Sequence, residues 1–228
     1  LIPIIVFFIF LSIKLLLPHV YVLLIVEDSF IEYMQALLYF ISSVLSFLIA
    51  KKFLQNKMGV HGVIYGILGI GMLLISFEEI SWGQRIFNVT PPDYFKQHNI
   101  QNEISLHNLE IFHSRLLDIY ILLGAYGSFT WILIKRLTQS VNASGRHLLF
   151  YLIPEWFISS YFFFTFVVYL LLGYICRPHA GSFVIWRDQE PAELLLSLGI
   201  VIFMIINLVR IKTSLTSGCS ETALTSQP

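Results

Sequence analysis

Residues 61–85 read HGVIYGILGIGMLLISFEEISWGQR, and this stretch decides the fold class. It contains an unbroken apolar run close to the length of about 20 residues that an α-helix needs to cross a bilayer. The run ends in two adjacent acids, Glu78 and Glu79, and then reaches Trp82, a residue type that suits the membrane–water boundary. We therefore predict a transmembrane helix that carries charge at the edge of the bilayer.

The rest of the chain has the same character. Of its 228 residues 57% are hydrophobic and 12% are charged, whereas soluble domains carry about 25% charged residues. We predict an all-α fold, a polytopic transmembrane helical bundle of about six spans with a polar interfacial loop or helix between spans 3 and 4. The predicted spans are residues 3–25, 30–50, 61–80, 116–134, 148–174 and 192–210.

The spans leave no room for a separate soluble domain. Residues 1–212 are predicted to form one transmembrane domain, and residues 213–228, rich in Ser and Thr, a disordered cytoplasmic tail. The first apolar run is too long for a signal-peptide core, so we predict that it is retained. The sequence begins at Leu1, and we expect the natural chain to begin earlier. Pro154 predicts either a bend in the fifth span or a short interfacial helix that leads into it.

Charge sets the predicted orientation and partners. The side that holds both termini carries eight lysines and arginines against five on the other side, so we predict cytoplasmic termini in a cell membrane, of the bacterial inner-membrane type. Twelve of the fourteen acids fall on or near the other side. The formal net charge is zero, which gives no electrostatic sign of nucleic-acid binding. Membrane lipid is the predicted partner, and a protein partner stays open.

Several of these acids have a structural explanation. Asp188, Glu190 and Glu193 lie near a predicted helix start, where the helix dipole favours negative charge. Glu78 and Glu79 lie at a helix end, where the dipole opposes them. Since a charge within a span is costly and often functional, these two glutamates are the most anomalous charges in the sequence.

The spacing places Glu78, Trp82 and Arg85 on one face if the third helix continues to residue 85. An ion pair between Glu78 and Arg85 that closes the helix is the structural interpretation. A carboxylate directed into a cavity is the functional one, and both remain open. Earlier in the same helix, Gly62 and Gly66 form a small-xxx-small pair that predicts close helix packing.

A second group of polar residues follows in the connection between spans 3 and 4. A helix predicted from about Leu106 to Arg136 would place His107, Glu110, Ser114 and Asp118 on one face, and Glu103 would join them if the helix began earlier. Histidine and carboxylates are ligands for zinc or a similar divalent ion, and they also suit acid–base chemistry. A solvated helix face is the structural alternative.

Parts of the sequence resemble uncharacterised bacterial multi-pass membrane proteins. The resemblance is carried by EEISWGQRIF, TPPDYF and NEISLHNL, and further by EDSFIEYMQALLYF and EPAELLLSLG. It touches most of the chain and implies no established activity. It does imply that the polar residues of the first three segments belong together: Glu78, Glu79, Trp82, Gln84, Arg85, Glu103, His107 and Asn108.

The run SLHNLEIFHSRLLDIY also loosely resembles the Ser, His and Asp pattern of the alkaline ceramidase-like superfamily of membrane hydrolases. The spacing between Ser and His differs from that pattern, a late HxxxH pair is missing, and six spans are predicted where seven are typical. The resemblance therefore implies only an analogy to a zinc-dependent lipid hydrolase.

These patterns lead to three functional hypotheses. The first is metal-assisted hydrolysis or transfer on a lipid or lipid-linked substrate at the extracytoplasmic membrane boundary. The second is a non-catalytic membrane subunit or scaffold that docks a partner through loop 81–115, and the third is a proton- or cation-coupled transporter. For the first, the predicted catalytic residues are Glu78, Glu79, His107 and Asp118, the substrate-binding residues are Trp82, Gln84, Arg85 and Asn108, and the metal ligands are Glu79, Glu103 and His107.

Overall fold

The computed structural model describes residues 1–26, 29–84, 86–99, 103–106, 109–138, 148–176 and 183–224. Within these ranges no strand forms, and an isolated bridge joins Asn99 to Leu109. The all-α prediction is confirmed. The helices are α1 (Ile2–Leu16), α2 (Pro18–Ile25), α3 (Phe30–Gln55), α4 (Gly59–Glu79), α5 (Asp93–His98), α6 (Glu110–Thr138), α7 (Leu148–Leu152), α8 (Ser159–Leu170) and α9 (Glu190–Leu224).

Helices of membrane-spanning length account for most of the chain. Among the described residues, five stretches are long and apolar enough to cross a membrane, and Ile2–Leu16 is a shorter apolar helix. Helices of this length and composition indicate a membrane protein. The five stretches are Pro18–Gln55, Gly59–Glu79, Arg115–Leu133, Leu148–Ile175 and Arg187–Thr213.

The structure shows how the two ends of the predicted domain are built. Pro18 lies within the first predicted span and predicts a kink there, and residues 3–25 do form two helices, since α1 ends at Leu16 and α2 begins at Pro18. Proline lacks the backbone N–H that would continue the first helix, and its fixed φ suits the first turn of the second. At the other end α9 continues past residue 212 to Leu224. The division of the chain at residue 212 stays a prediction.

The bundle is built around α3 and α9. Helix α3 packs against α4 on one side and α9 on the other, α8 packs against both α9 and α6, and α1 contacts α8 and α9. Tyr39, Tyr65 and Leu196 are among the buried side chains of this core. Large apolar side chains such as Ile67 and Leu122 are exposed on the outer surfaces of the helices. Such surfaces are stable when lipid covers them.

Serine hydroxyls join α3 to α4 along their shared face. Ser43 donates to the carbonyl of Gly69 at 2.8 Å, and Ser46 donates to the carbonyl of Tyr65 at 2.7 Å. The predicted pair of close-packing glycines is only partly right. A Cβ at Gly62 would lie 2.6 Å from Leu54 of α3, whereas Gly66 faces open space, so the close approach involves Gly62 and Gly69 instead.

The stretch Leu148–Ile175, which is the fifth predicted span, is broken at Pro154, as the sequence predicts. α7 ends at Leu152, and Pro154 follows. The break frees the carbonyl of Tyr151, which accepts hydrogen bonds from the Tyr65 hydroxyl at 2.5 Å and from the Asn207 amide at 3.0 Å. Side chains from α4 and α9 thus replace the lost helix bond, as a break inside an apolar bundle requires.

We expect the contact between α6 and α8 to tolerate no added side chain at Gly124. The Cβ of an alanine there would lie 2.7 Å from the backbone nitrogen of Phe166, so the helices would have to separate. Gly124→Ala should lower the free energy of unfolding by about 1–3 kcal/mol. Gly66→Ala is the matched control, since open space surrounds Gly66 and alanine favours helix. Thermal unfolding in detergent compares the two, and equal stability would contradict this packing.

Candidate functional site

The carboxylates gather where α3 and α9 begin and α4 ends, a region that we call the acidic end. The Ser29 hydroxyl caps α3 by accepting from the Glu32 backbone N–H at 3.5 Å, and Glu32 lies in the first turn. Glu190 and Glu193 lie in the first turn of α9. The dipoles of these two helices favour negative charge there, as predicted. Glu79 reaches the same region from the C-terminal end of α4, where the dipole has the opposite sign.

Five helices each contribute one polar side chain to a group that we call the carboxylate–tyrosine cluster. Its members interact electrostatically with one another: Glu79 with Glu193, and both carboxylates with Tyr39 and Tyr120. Tyr169 interacts with Glu193 and Tyr120. The cluster lies inside the ends of the apolar helices α3, α4, α6, α8 and α9.

Its hydrogen bonds hold the two carboxylates differently. The Tyr169 hydroxyl donates to Glu193 Oε1, and the ring of Tyr169 stacks on that of Tyr120 with 4.4 Å between centroids and 8° between planes. Glu193 and Tyr169 are both buried. Glu79 is half-buried, and no hydrogen bond or ion pair joins it to another described residue. Tyr169 therefore holds Glu193 in place, whereas no described residue holds Glu79.

A second group of polar side chains adjoins the cluster at the start of α9. Arg187 Nη1 lies 2.6 Å from Glu32 Oε1 and 3.2 Å from Glu190 Oε1, so one guanidinium links α3 to α9. The Gln35 amide donates to the backbone oxygen of Glu190 at 3.1 Å and to its Oε2 at 3.3 Å. Gln35 is fully buried, and its Oε1 has no hydrogen-bond partner within the described ranges.

Asp188 connects the first two helices to the start of α9. It forms an ion pair with Lys14 of α1 and accepts a hydrogen bond from the Tyr21 hydroxyl of α2 at 2.7 Å. Its Oδ2 also accepts from the Ile185 backbone N–H at 2.9 Å. Asp188 thus fastens the first two helices to the start of α9, and Lys14 has a partner for its charge inside an apolar run.

Glu78, next to Glu79, turns to the connection that follows α4. Its Oε1 accepts from the Trp82 indole N–H at 2.6 Å, and its Oε2 accepts from the Leu106 backbone N–H at 2.6 Å. The prediction of a helical face through residue 85 is wrong, because α4 ends at Glu79. Ser81 and Trp82 have φ values of 46° and 54°, and the chain returns Trp82 to Glu78 through this left-handed turn.

Two further contacts fasten residues 103–106 to the end of α4. The Ser81 hydroxyl donates to Glu103 Oε2 at 2.9 Å, and Gln84 Oε1 accepts from the Ile104 backbone N–H at 2.6 Å. The bridge between Asn99 and Leu109 closes the loop at its base. These contacts and those of Glu78 form what we call the loop tie. In it the side chains of Glu78 and Gln84 accept hydrogen bonds from backbone N–H groups of the loop.

The described residues of the predicted site therefore lie in three places. Glu78, Trp82, Gln84 and Glu103 come together in the loop tie. Glu79 belongs to the carboxylate–tyrosine cluster. Asp118 is exposed on α6 and accepts from the Tyr174 hydroxyl at 2.6 Å. Three predicted site residues lie outside the described residues: Arg85, His107 and Asn108.

The predicted metal ligands are only partly described. Glu103 is buried and accepts from Ser81, and His107 lies outside the described residues, so a site formed by Glu79, Glu103 and His107 stays a prediction. Among the described histidines, cysteines and acids, no three lie where they could hold a metal ion together.

Sequence patterns do not indicate which residues surround Glu79. The helix dipole alone accounts for Glu190 and Glu193 in the sequence, and no local pattern singles out Gln35 or the three tyrosines. A signal was present, because Glu32, Gln35 and Tyr39 recur at helical spacing on one face of α3. That face meets α9, which no local pattern indicates.

No protein-family model, no protein of described function and no solved structure matches this chain. Function is therefore inferred from the chemistry of the acidic end.

The loop tie predicts a measurable change in backbone protection. Glu78→Ala removes the acceptor for the Leu106 N–H, and hydrogen bonds to charged groups contribute about 1.5–3 kcal/mol, so amide exchange around Leu106 should accelerate roughly tenfold or more. Asp93→Asn is the control, because Asp93 is highly exposed and contacts only Lys96 among the described residues. Hydrogen–deuterium exchange with mass spectrometry reads peptides over 103–109, and unchanged protection in Glu78→Ala would disprove the tie.

Proposed function

We propose that the chain is a six-span membrane enzyme that performs general acid–base chemistry, hydrolysis or group transfer, on a lipid or lipid-linked substrate. Both termini lie in the cytoplasm, the acidic end faces away from it, and the membrane is a bacterial inner membrane. The count of eight basic residues against five supports this orientation. α1 and α2 together supply the first, bent span.

The convergence of Glu79 and Glu193 with three tyrosines, one from each of five helices, carries the proposal. Charged groups among the ends of membrane-spanning helices are costly, and in membrane proteins they mainly mark functional sites. A pair of carboxyl groups can act as general acid and general base, one giving a proton while the other takes one. The tyrosine hydroxyls supply further donors for an oxygen that becomes negative during the reaction.

The two carboxyl groups suit different roles. Glu79, with no hydrogen bond to another described residue, is proposed as the base that takes a proton from water or an alcohol. Glu193 is fixed by Tyr169 and is proposed as the acid that protonates the leaving oxygen. After this step Glu79 carries the proton taken from water or the alcohol and Glu193 is ionised, so transfer of that proton from Glu79 to Glu193, directly or through water, restores the starting state.

The depth of the cluster favours a substrate that arrives from the membrane. Trp82 stacks on Phe77 with 5.4 Å between ring centroids and is exposed, which suits the membrane–water boundary. Glu79 precedes Trp82 by three residues and points into the bundle, on the apolar side of that boundary. A lipid head group reaches this depth by lateral diffusion, without leaving the bilayer.

We expect the isosteric variants Glu79→Gln and Glu193→Gln each to lower turnover by about 100-fold or more, since acid–base groups contribute about 10²–10⁴-fold. The protein is reconstituted in liposomes of polar lipid extract, and lipid products are resolved by mass spectrometry. Asp93→Asn, an exposed acid outside the cluster, is the control. Wild-type turnover in both glutamine variants would reject the proposed roles, whereas absence of turnover in the wild-type protein would favour a non-catalytic subunit.

The orientation has a test of its own in the two cysteines. Cys176 is exposed and lies directly after the stretch Leu148–Ile175, near the acidic end, whereas Cys219 lies beyond the last stretch at the other end of the bundle. In intact cells a membrane-impermeant maleimide should label Cys219→Ser, which keeps Cys176, and should not label Cys176→Ser. Permeabilised cells provide the control for reactivity. The reverse pattern would place the acidic end in the cytoplasm.

A further inference from the structure

The exposed apolar surface of α4 continues past the end of the helix. Large exposed side chains recur along α4 every three or four residues, so they form one stripe, and in a helix of membrane-spanning length such a stripe faces lipid. The stripe consists of Val60, Val63, Ile67, Ile70, Leu74 and Phe77. The ring of Phe77 then stacks on that of Trp82 with 14° between the planes, and Trp82 is exposed as well. The lipid-facing surface therefore extends into the connection that follows α4.

This connection is apolar in its first part. Residues 86–92, which we call the apolar segment, read IFNVTPP and contain no charged residue. Its three large apolar side chains are exposed, and Phe87 is 76% exposed. Charge returns only at α5, where Asp93 and Lys96 form an ion pair at 3.1 Å on the exposed surface. The apolar segment thus lies in sequence between a lipid-facing helix and a charged, water-facing one.

Backbone hydrogen bonds keep the apolar segment close to the end of α4. The Phe87 N–H donates to the carbonyl of Gly83 at 2.9 Å, and the Val89 N–H donates to the carbonyl of Gln84 at 2.8 Å, so the chain turns back at once. Farther along the connection, the Ile104 N–H donates to Gln84 Oε1. The connection is held at both ends, and the apolar segment stays near the depth at which α4 ends.

Lipid accounts for the exposure of these side chains better than water or a protein partner does. Large apolar side chains lose free energy when they remain in water. A protein interface of standard size uses about 20–30 residues on each side, whereas the apolar segment has seven. Apolar and aromatic side chains beside a boundary tryptophan suit the interfacial layer of a bilayer. The stripe on α4 already places lipid next to Trp82.

We propose that the apolar segment inserts into the membrane leaflet on the side of the acidic end and anchors the end of α4 at the membrane–water boundary. Phe87 is the most exposed of its large apolar side chains and is the main contact with lipid. The anchor goes beyond the proposed enzymatic function and holds whether or not Glu79 and Glu193 catalyse a reaction. It would keep the acidic end at a constant depth.

Nitroxide labels on single cysteines distinguish lipid from water and from protein. Phe87→Cys and Val89→Cys are made in the full chain with Cys176→Ser and Cys219→Ser, and each is reconstituted in vesicles of phosphatidylcholine and phosphatidylglycerol. Oxygen concentrates in lipid and a nickel chelate stays in water, so the ratio of their collision rates with the label reports its surroundings. Leu122→Cys, at an exposed position of α6, is the lipid reference, and Gln97→Cys, at an exposed position of α5, is the water reference.

We expect the label at Phe87→Cys to give an oxygen-to-nickel ratio close to that of Leu122→Cys and well above that of Gln97→Cys. Val89→Cys carries the same test should Phe87→Cys fail to fold. A ratio equal to that of Gln97→Cys would overturn the proposal and place the apolar segment in water. Low collision rates with both reagents would overturn it too, and would assign the segment to a contact with protein. Lipid turnover does not enter this measurement, so its loss would count only against the enzymatic function.

Discussion

The acidic end depends on one constraint, that charge inside an apolar bundle needs a partner. The lipid-facing surfaces of the helices provide none, because they are covered with large aliphatic and aromatic side chains. Each charge must therefore reach across to another helix. Lys14 reaches Asp188, and Arg187 reaches Glu32 and Glu190, so ion pairs connect α1 and α3 to the start of α9. The ion pairs therefore select, among the ways in which the apolar helix faces could pack, the arrangement in which each of these charges has its partner.

The same constraint separates structural acids from candidate functional ones. Asp188 and Glu78 are fully engaged, since each carboxylate accepts from at least two donors. Glu193 has one donor, Tyr169, and Glu79 has none among the described residues. A charge that the fold leaves without a partner lowers stability, so its retention points to a ligand or a reaction that uses it. The difference in the number of hydrogen-bond donors, rather than the number of acids, therefore identifies the carboxylate–tyrosine cluster as the candidate functional site.

Local patterns were sufficient for some of this architecture and insufficient for the rest. Apolar run length predicted the long helices, and Pro154 predicted the break after α7, because both effects act within a few residues. The anomaly of Glu79 could also be recognised, since the helix dipole is local. The proximity of Glu193 could not, because it results from the packing of both α4 and α9 against α3, which is a tertiary property. The prediction that Trp82 continues the helical face of Glu78 failed, because the left-handed turn at Ser81 depends on contacts with residues 103–106.

That turn explains how two adjacent glutamates come to differ. A left-handed conformation costs roughly 1–2 kcal/mol for a residue with a side chain, and Ser81 and Trp82 both adopt it. The hydrogen bonds that join Glu78, Ser81 and Gln84 to residues 103–106 offset this cost. Adjacent residues on a helix point about 100° apart. With Glu78 held on the loop side, Glu79 is left pointing into the bundle, so the strained turn and the loop tie position the carboxylate of the cluster.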